Sequence, residues 1–225
     1  MNDVLQKRVY FIRHGETKAN TTNTTQGPDS PLNEKGLEQA GILAKRAQKL
    51  SFDHIISSDY DRARVTAEHV QEATKKPLEL SKLFVEYRKP SEFWGKNIGE
   101  LGEDSKVARG FAQMEENFGK KDWHYSDEEN FFDLKERATK ALEYLKNHTE
   151  TNLLVVTHGN FLRILLGVMI RGEKYSPQDY KDDNSTFELF NTSISVAEFK
   201  PHWRYPEGTW QISAWNDQAH LGDLT

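Results

Sequence analysis

Cysteine is absent from the 225-residue chain. That excludes disulfide bonds, thiolate catalysis and cysteine-bound zinc or iron–sulfur centres, and it fits a reducing compartment. A basic excess is also missing, since 30 lysines and arginines face 35 aspartates and glutamates, a net charge of −5. No global field therefore draws the chain to nucleic acid or to an anionic membrane. Long apolar runs are lacking too. The longest, from Ile164 to Ile170, is broken by Gly167 and is far too short to span a bilayer. Met1 to Arg8 lack the apolar core of a signal peptide. A cytoplasmic protein with no nucleic-acid or membrane partner is the expectation. There is no Gly-x-x-x-x-Gly-Lys-Ser/Thr loop, and Gly95, Gly99 and Gly102 do not fit a dinucleotide fingerprint. The eight histidines are scattered without the close His or carboxylate pairing of a metal site. No metal and no cofactor are expected.

What is present suits one α/β domain over residues 1–225, with hydrophobic residues at 36% and charged residues at 29%. Val9-Tyr10-Phe11-Ile12 reads as a buried strand of a parallel sheet, and it runs straight into Arg13-His14-Gly15-Glu16-Thr17. Gly15 allows a tight backbone turn. Arg13 and His14 thus fall at the carboxyl end of a strand, where open α/β sheets place their ligands. The Thr- and Asn-rich stretch from Lys18 to Pro31 is a loop over that end. Asn33 caps a helix with Leu37, Ala40, Leu43, Ala44, Ala47 and Leu50 at helical spacing.

A short strand, His54-Ile55-Ile56, leads to a helix starting at Asp59 with Ser58 as its cap. Arg62 and Arg64 then lie in the first helical turn, where a cation costs about 0.3 to 1 kcal/mol against the helix dipole. A compensating anion is implied. Leu83-Phe84-Val85 brings the chain to Glu86. From Pro90 to about Glu129 no strand pattern exists, and this stretch reads as a polar, mainly helical insertion. Its aromatics, Phe93, Trp94, Phe111, Trp123 and Tyr125, are expected to form a small satellite core.

After an amphipathic helix from Asp133 to Asn147, the opening logic repeats. The buried strand Asn152 to Thr157 ends in His158-Gly159-Asn160, followed by a helix from Phe161 to Ile170. The amides of Gly159 and Asn160 would face the same sheet edge as His14 and could hold an anion. Phe187 to Asn191, Ser193 to Phe199 and Gln211 to Trp215 read as antiparallel strands at one sheet edge.

Two strand-end histidines, each followed by glycine and accompanied by arginines, point to phosphate. Phosphoryl transfer needs an in-line nucleophile, cationic donors and a proton for the leaving group. Neutral imidazole is a competent nucleophile, and the guanidinium fork binds phosphate oxygens while staying charged. The candidates are His14 as nucleophile, Arg13, Arg62 and His158 as charge clamp, and Asn20 as a neutral donor. Glu86 is the best-placed acid, with Glu92 and Glu16 in reserve.

Arg13-His14-Gly15-Glu16-Thr17 with Asn20 resembles the signature of the histidine phosphatase superfamily, in its phosphoglycerate-mutase-like branch. The resemblance runs on through Gln26-Gly27, Asp29-x-Pro31-Leu32-Asn33-x-x-Gly36-x-x-Gln39-Ala40 and Ser57-Ser58-Asp59-x-x-Arg62-Ala63-x-x-Thr66-Ala67. Thr157-His158-Gly159 and Asn216-Asp217-x-x-His220-Leu221 complete it, in the family's order, outside roughly Pro90 to Asn130. It implies a three-layer α/β/α sandwich around a mostly parallel open sheet, with a helical insertion around 90–130. It also implies a two-step, metal-independent reaction, with phosphohistidine forming on His14 and Glu86 serving the leaving alcohol and then water. Arg13, Arg62 and His158 match phosphate-pocket positions. Asn20, Gln26, Gly27, Gly159 and Asn160 are the expected substrate-binding set, and His220 reads as structural.

Mutases of this branch usually carry Gly-Trp-x-Asp after the first motif and Glu-Arg-x-Tyr-Gly around the acid. This chain has Gly27-Pro28-Asp29 and Glu86-Tyr87-Arg88-Lys89-Pro90 instead. Hydrolysis of a small phosphorylated substrate is therefore favoured over a cofactor-dependent mutase. A non-catalytic module that holds a phosphorylated ligand or inorganic phosphate is the other alternative. Nothing in the sequence sets the oligomeric state.

Overall fold

Residues Val9 to Ile12 do lie in a fully buried strand, and their side chains alternate between two separate cores. The computed structural model describes residues 6–102 and 105–222. In chain order the elements are β1 (Lys7–Arg13), α1 (Lys18–Thr21), α2 (Glu34–Ala47), β2 (His54–Ser57), α3 (Asp61–Thr74), β3 (Leu78–Leu80) and α4 (Lys106–Asn117). They continue with α5 (Phe131–Asn147), β4 (Asn152–Thr157), α6 (Gly159–Arg171), α7 (Pro177–Thr186), β5 (Ile194–His202) and β6 (Tyr205–Asp217).

The six strands form one sheet in the order β3-β2-β4-β1-β5-β6. β3, β2, β4 and β1 pair in parallel, while β5 and β6 add an antiparallel edge. Val9 and Phe11 of β1 join Leu153 and Val155 of β4 in a core beneath α5 and α6. Tyr10, Ile12, Leu154 and Val156 face the opposite way, onto α2 and α3. Period-two alternation with both faces covered is what makes these strands apolar throughout. The expected three-layer α/β/α sandwich with a mostly parallel sheet is what the chain adopts. Leu134, Leu142 and Leu145 seat α5 on the sheet, each worth about 1.5–3 kcal/mol of burial.

Pairing sets the site. β4 lies between β1 and β2, in a register that aligns Arg13 with Thr157 and Ser57 with Val156. The next residues continue the ladder: the His14 amide donates to Thr157 O at 3.0 Å, and the Ser58 amide to Val156 O at 3.0 Å. His14, His158 and Ser58 therefore emerge side by side at the carboxyl edge. Gly15 matters here for a reason other than the expected turn. A Cβ on it would stand 2.5 Å from Gly36 O, and one on Gly36 would stand 2.0 Å from Glu16 O. The loop after β1 thus lies directly on the first turn of α2, backbone to backbone.

The insertion is helical, as expected, with α4 capped by Ser105 and a small aromatic cluster. Phe93 contacts Phe111 and Tyr125, with ring centroids 6.2 and 5.6 Å apart, whereas Trp94 is exposed and leans its ring on Gly27. Backbone bonds between Thr25, Gly95 and Lys96 tie the Thr/Asn-rich loop to this insertion.

Some expectations are corrected. Ser58 does not cap α3: Tyr60 is the N-cap residue, without a side-chain bond, and Ser58 is drawn to His158 instead. Leu37 keeps helical spacing yet is exposed. Phe187 to Asn191 is not a strand. Its carbonyls serve side chains: Arg163 donates to Phe187 O and Arg13 to Leu189 O. α7 was not anticipated, although Ser176-Pro177-x-Asp179 forms a capping box with proline in the first turn.

Candidate active site

His14 is 2% exposed, and its ring has one defined tautomer. Nδ1 lies 2.7 Å from Gly15 O, an oxygen that can only accept, so Nδ1 carries the proton. Nε2 is left with its lone pair, and it accepts from Nε of Arg62 at 3.2 Å. Arg62, 1% exposed, also donates to Gly27 O at 2.9 Å. The unfavourable first-turn position of Arg62 is explained by this inward aim. Arg64 stays outside, paired with Asp61 and Glu68.

His158 is fully buried, with its ring centroid 5.1 Å from that of His14. Its Nε2 lies 2.8 Å from Ser58 Oγ, which itself accepts the Tyr60 amide at 3.2 Å. The Ser58 hydroxyl proton is then free for His158 Nε2, leaving the ring proton on Nδ1. That Nδ1 and Nε of Arg13 are both buried donors without a protein partner. Buried polar groups are rarely left this way, because each costs about 1–3 kcal/mol. Both belong to residues around His14.

Burial, then the Arg62 and Arg13 guanidiniums, hold His14 well below its ordinary pKa. Burial, then Arg62 and the His14 ring, do the same to His158. Both rings are neutral at pH 7, as a nucleophile and a hydrogen-bond donor require. Burial lowers Arg62 to about 10, so it remains charged.

Glu86 sits at the N-terminus of α6. Its carboxylate accepts the amides of Tyr87 and Phe161 at 2.9 Å each, and the amide and Nδ2 of Asn160 at 3.3 Å each. The anion-binding amides expected at Gly159 and Asn160 are therefore used in part by the protein's own carboxylate. Behind it, Arg137 forms a bidentate pair with Glu129 at 2.7 and 2.8 Å and donates to the carbonyls of Leu83, Val85 and Glu86. The guanidinium of Arg137 also lies 4.0 Å over the Phe161 ring. This clamp fixes the segment that carries Glu86. Glu92 and Glu16 are elsewhere, the first paired with Lys106, the second with Lys35 and bonded by Asn33.

Residues 9–218 match the histidine phosphatase superfamily, branch 1. The chain belongs to that family. A relative from Escherichia fergusonii, named "Probable phosphoglycerate mutase GpmB", is 31% identical over 95% of this chain and 94% of its own length. Among solved structures, Bacillus stearothermophilus YhfR is 28% identical, with a TM-score of 0.75 over 96% of this chain and 99% of that one. A phosphoserine phosphatase from Entamoeba histolytica, solved with 3-phosphoglyceric acid, shares the fold at 24% identity and a TM-score of 0.70, over 96% and 99% of the two chains.

The structure of this member of the histidine phosphatase superfamily brings together His14, Arg13, Arg62, His158, Glu86, Gly159 and Asn160. The remaining expected residues are bonded to other groups of the chain. Asn20 accepts from the Thr17 amide and hydroxyl, as part of a capping box, and Gln26 accepts from Thr17 as well. Gly27 supplies the carbonyl for Arg62. Sequence reasoning left several residues without a role. Thr66 accepts the Gly15 amide at 3.0 Å and donates to Arg62 O at 2.7 Å, joining the two loops. Asn191 donates to His14 O at 2.8 Å. Tyr60 lies edge-on to His158 and under Arg62. Ser58 and Thr66 stood inside a quoted motif, whereas nothing in the sequence near Asn191 marks it.

The histidines are also less scattered than expected. His54 and His148 converge with Glu79 far from this site, which corrects the expectation that no such grouping exists.

Proposed function

We propose that the chain is a phosphomonoester hydrolase that works through a phosphohistidine on His14, on small phosphorylated substrates and without a catalytic metal. The observation that carries the reading is the His14 tautomer. Its Nδ1–H rests on Gly15 O, and its Nε2 lone pair opens among Arg62, Arg13 and His158. Nε2 attacks phosphorus as the ester P–O bond breaks, and the alkoxide takes a proton from Glu86 in its carboxylic acid form, which leaves the carboxylate for the second step. The phosphorylated ring is cationic, and Gly15 O stabilises its remaining N–H. Water then attacks the phosphoryl group, gives its proton to Glu86, and releases phosphate while restoring the His14 lone pair. Arg62, Arg13 and the unpartnered Nδ1 of His158 are the donors for the non-bridging oxygens.

The test is trapping. A 32P-labelled phosphomonoester should leave acid-labile, base-stable label on wild-type protein and none on His14→Ala. Label at another residue would refute the mechanism, as would near-normal turnover of His14→Ala. Turnover of p-nitrophenyl phosphate should survive chelation.

A phosphoglycerate mutase is the second reading, favoured by the name of the Escherichia fergusonii relative. Assays on 3-phosphoglycerate separate the two. Net phosphate release supports hydrolysis, while interconversion with 2-phosphoglycerate, stimulated by the 2,3-bisphosphate, supports the mutase.

A further inference from the structure

His54 opens β2, Glu79 lies on β3, and His148 is the C-cap residue of α5. One ring nitrogen from each histidine and one oxygen of Glu79 lie within 4.8 Å of one another. Strand register produces the convergence. Glu79 pairs with Ile56, so it shares a sheet face with His54, and that is the face on which α5 packs.

His54 Nε2 is buried, has no hydrogen-bond partner, and lies 3.7 Å from Glu79 Oε2. The His54 and His148 rings are 5.0 Å apart. The Tyr144 hydroxyl anchors Glu79, lying 2.9 Å from both carboxylate oxygens. Two imidazoles and an anchored carboxylate are a zinc-type donor set with a fourth place open to water. Tetrahedral bonds of about 2.1 Å separate neighbouring ligand atoms by roughly 3.4 Å. The His54–Glu79 spacing already approaches that value, and small side-chain rotations close the rest.

We propose that His54, Glu79 and His148 form a binding site for a divalent transition-metal ion of the zinc class, one that staples β2 and the edge strand β3 to the end of α5. His148 Nδ1 accepts the Glu150 amide at 3.0 Å. Coordination through Nε2 places the ring proton on Nδ1 and releases that amide, at the cost of one hydrogen bond. The site is distinct from the catalytic one. His54 and Ser58 stand at opposite ends of β2, roughly 13 Å apart at 3.3 Å per residue.

The experiment is calorimetric titration of the full chain, stripped of metal, with Zn2+, together with Co2+ titration followed by visible absorption. One ion per chain is expected, with the strong absorption of four-coordinate Co2+. His54→Gln, Glu79→Gln and His148→Gln should each weaken binding at least about 100-fold, and Tyr144→Phe, which frees the carboxylate, about 10-fold. His14→Ala should bind as wild type does. Absence of binding to wild type overturns the proposal, as does binding that is unchanged in His54→Gln and His148→Gln. Loss of binding in His14→Ala would assign the ion to the catalytic imidazoles and overturn it equally. If a glutamine variant fails to fold, imidazole NMR resonances of wild-type protein during the Zn2+ titration decide. Shifts at His54 and His148 support the site, and shifts confined to His14 and His158 refute it.

Discussion

Arg62 donates its Nε–H to the one nitrogen of His14 that has a free lone pair, at 3.2 Å. In the proposed mechanism the nucleophile is thus masked by the group that later holds the phosphate. A phosphate dianion competes for the guanidinium, and the charge-assisted bonds it offers are stronger than one to neutral imidazole. Substrate therefore unmasks the lone pair as it binds.

Replacing Arg62 should cost turnover heavily. Arg62→Ala is expected to lower kcat/KM by a factor on the order of 10²–10³. Arg62→Lys should recover little of it, because an ammonium cannot span phosphate and Gly27 O together. Steady-state kinetics with p-nitrophenyl phosphate checks both, and near-wild-type activity of the lysine variant would contradict the clamp.

Protonation of the buried rings gives a stability signature. Unfolded chains take up these protons near pH 6.5, whereas in the folded state His14 and His158 stay neutral to well below that value. Below pH 6.5 the unfolded state binds more protons, so stability falls as pH drops, by up to about 1.4 kcal/mol per pH unit for each ring. Urea denaturation between pH 7 and pH 5 should show this decline, with a shallower slope in His14→Gln. An identical slope in the variant would mean that His14 takes up its proton as readily in the folded as in the unfolded chain.

Glu86 and Asn160 should behave as one unit. Glu86→Gln is expected to slow alkyl phosphates far more than p-nitrophenyl phosphate, whose leaving group needs no proton. Asn160→Ala, which removes one donor to the carboxylate, should show the same bias more weakly. Equal losses on both substrates would move the acid role away from Glu86.

The Arg137–Glu129 pair is buried, with side-chain exposures of 12% and 2%. Removing Arg137 leaves Glu129 only the amide of Arg88 at 3.1 Å and its exposed guanidinium at 3.5 Å, so Arg137→Met should destabilise by about 3 kcal/mol, and Arg137→Met with Glu129→Met by much less. Denaturant midpoints of the two proteins test this. Because Arg137 also holds the carbonyls that flank Glu86, the single variant should lose activity even where it remains folded.

Much of this was legible in the sequence for a physical reason. A strand buried on both faces must be apolar throughout, and a polar pair at its end is then conspicuous, which exposed His14 and His158. Glu86 was found in the same way, after an apolar run. The fold followed from alternating strand and helix patterns. Contacts made through backbone carbonyls were invisible: Leu189 O and Gly15 O accept from Arg13 and His14 whatever side chains those residues carry. The apolar look of Phe187 to Asn191 suggested a strand for that reason. Ser58 was assigned to the nearer helix because local spacing cannot register a partner 100 residues away. The His54, Glu79 and His148 group depends on strand register and on where α5 stops, neither of which the sequence spells out.

The interposed position of β4 also governs when the protein can come into being. β1 and β2 share no pairing with each other and meet only through a strand that begins at Asn152. A nascent chain that ends before this point has two buried strands with no common neighbour and half of its imidazole pair. Its central sheet must wait for a long loop to close, which makes folding slow and leaves apolar edges uncovered meanwhile. The imidazole pair is therefore complete only once β4 stands between its two flanking strands.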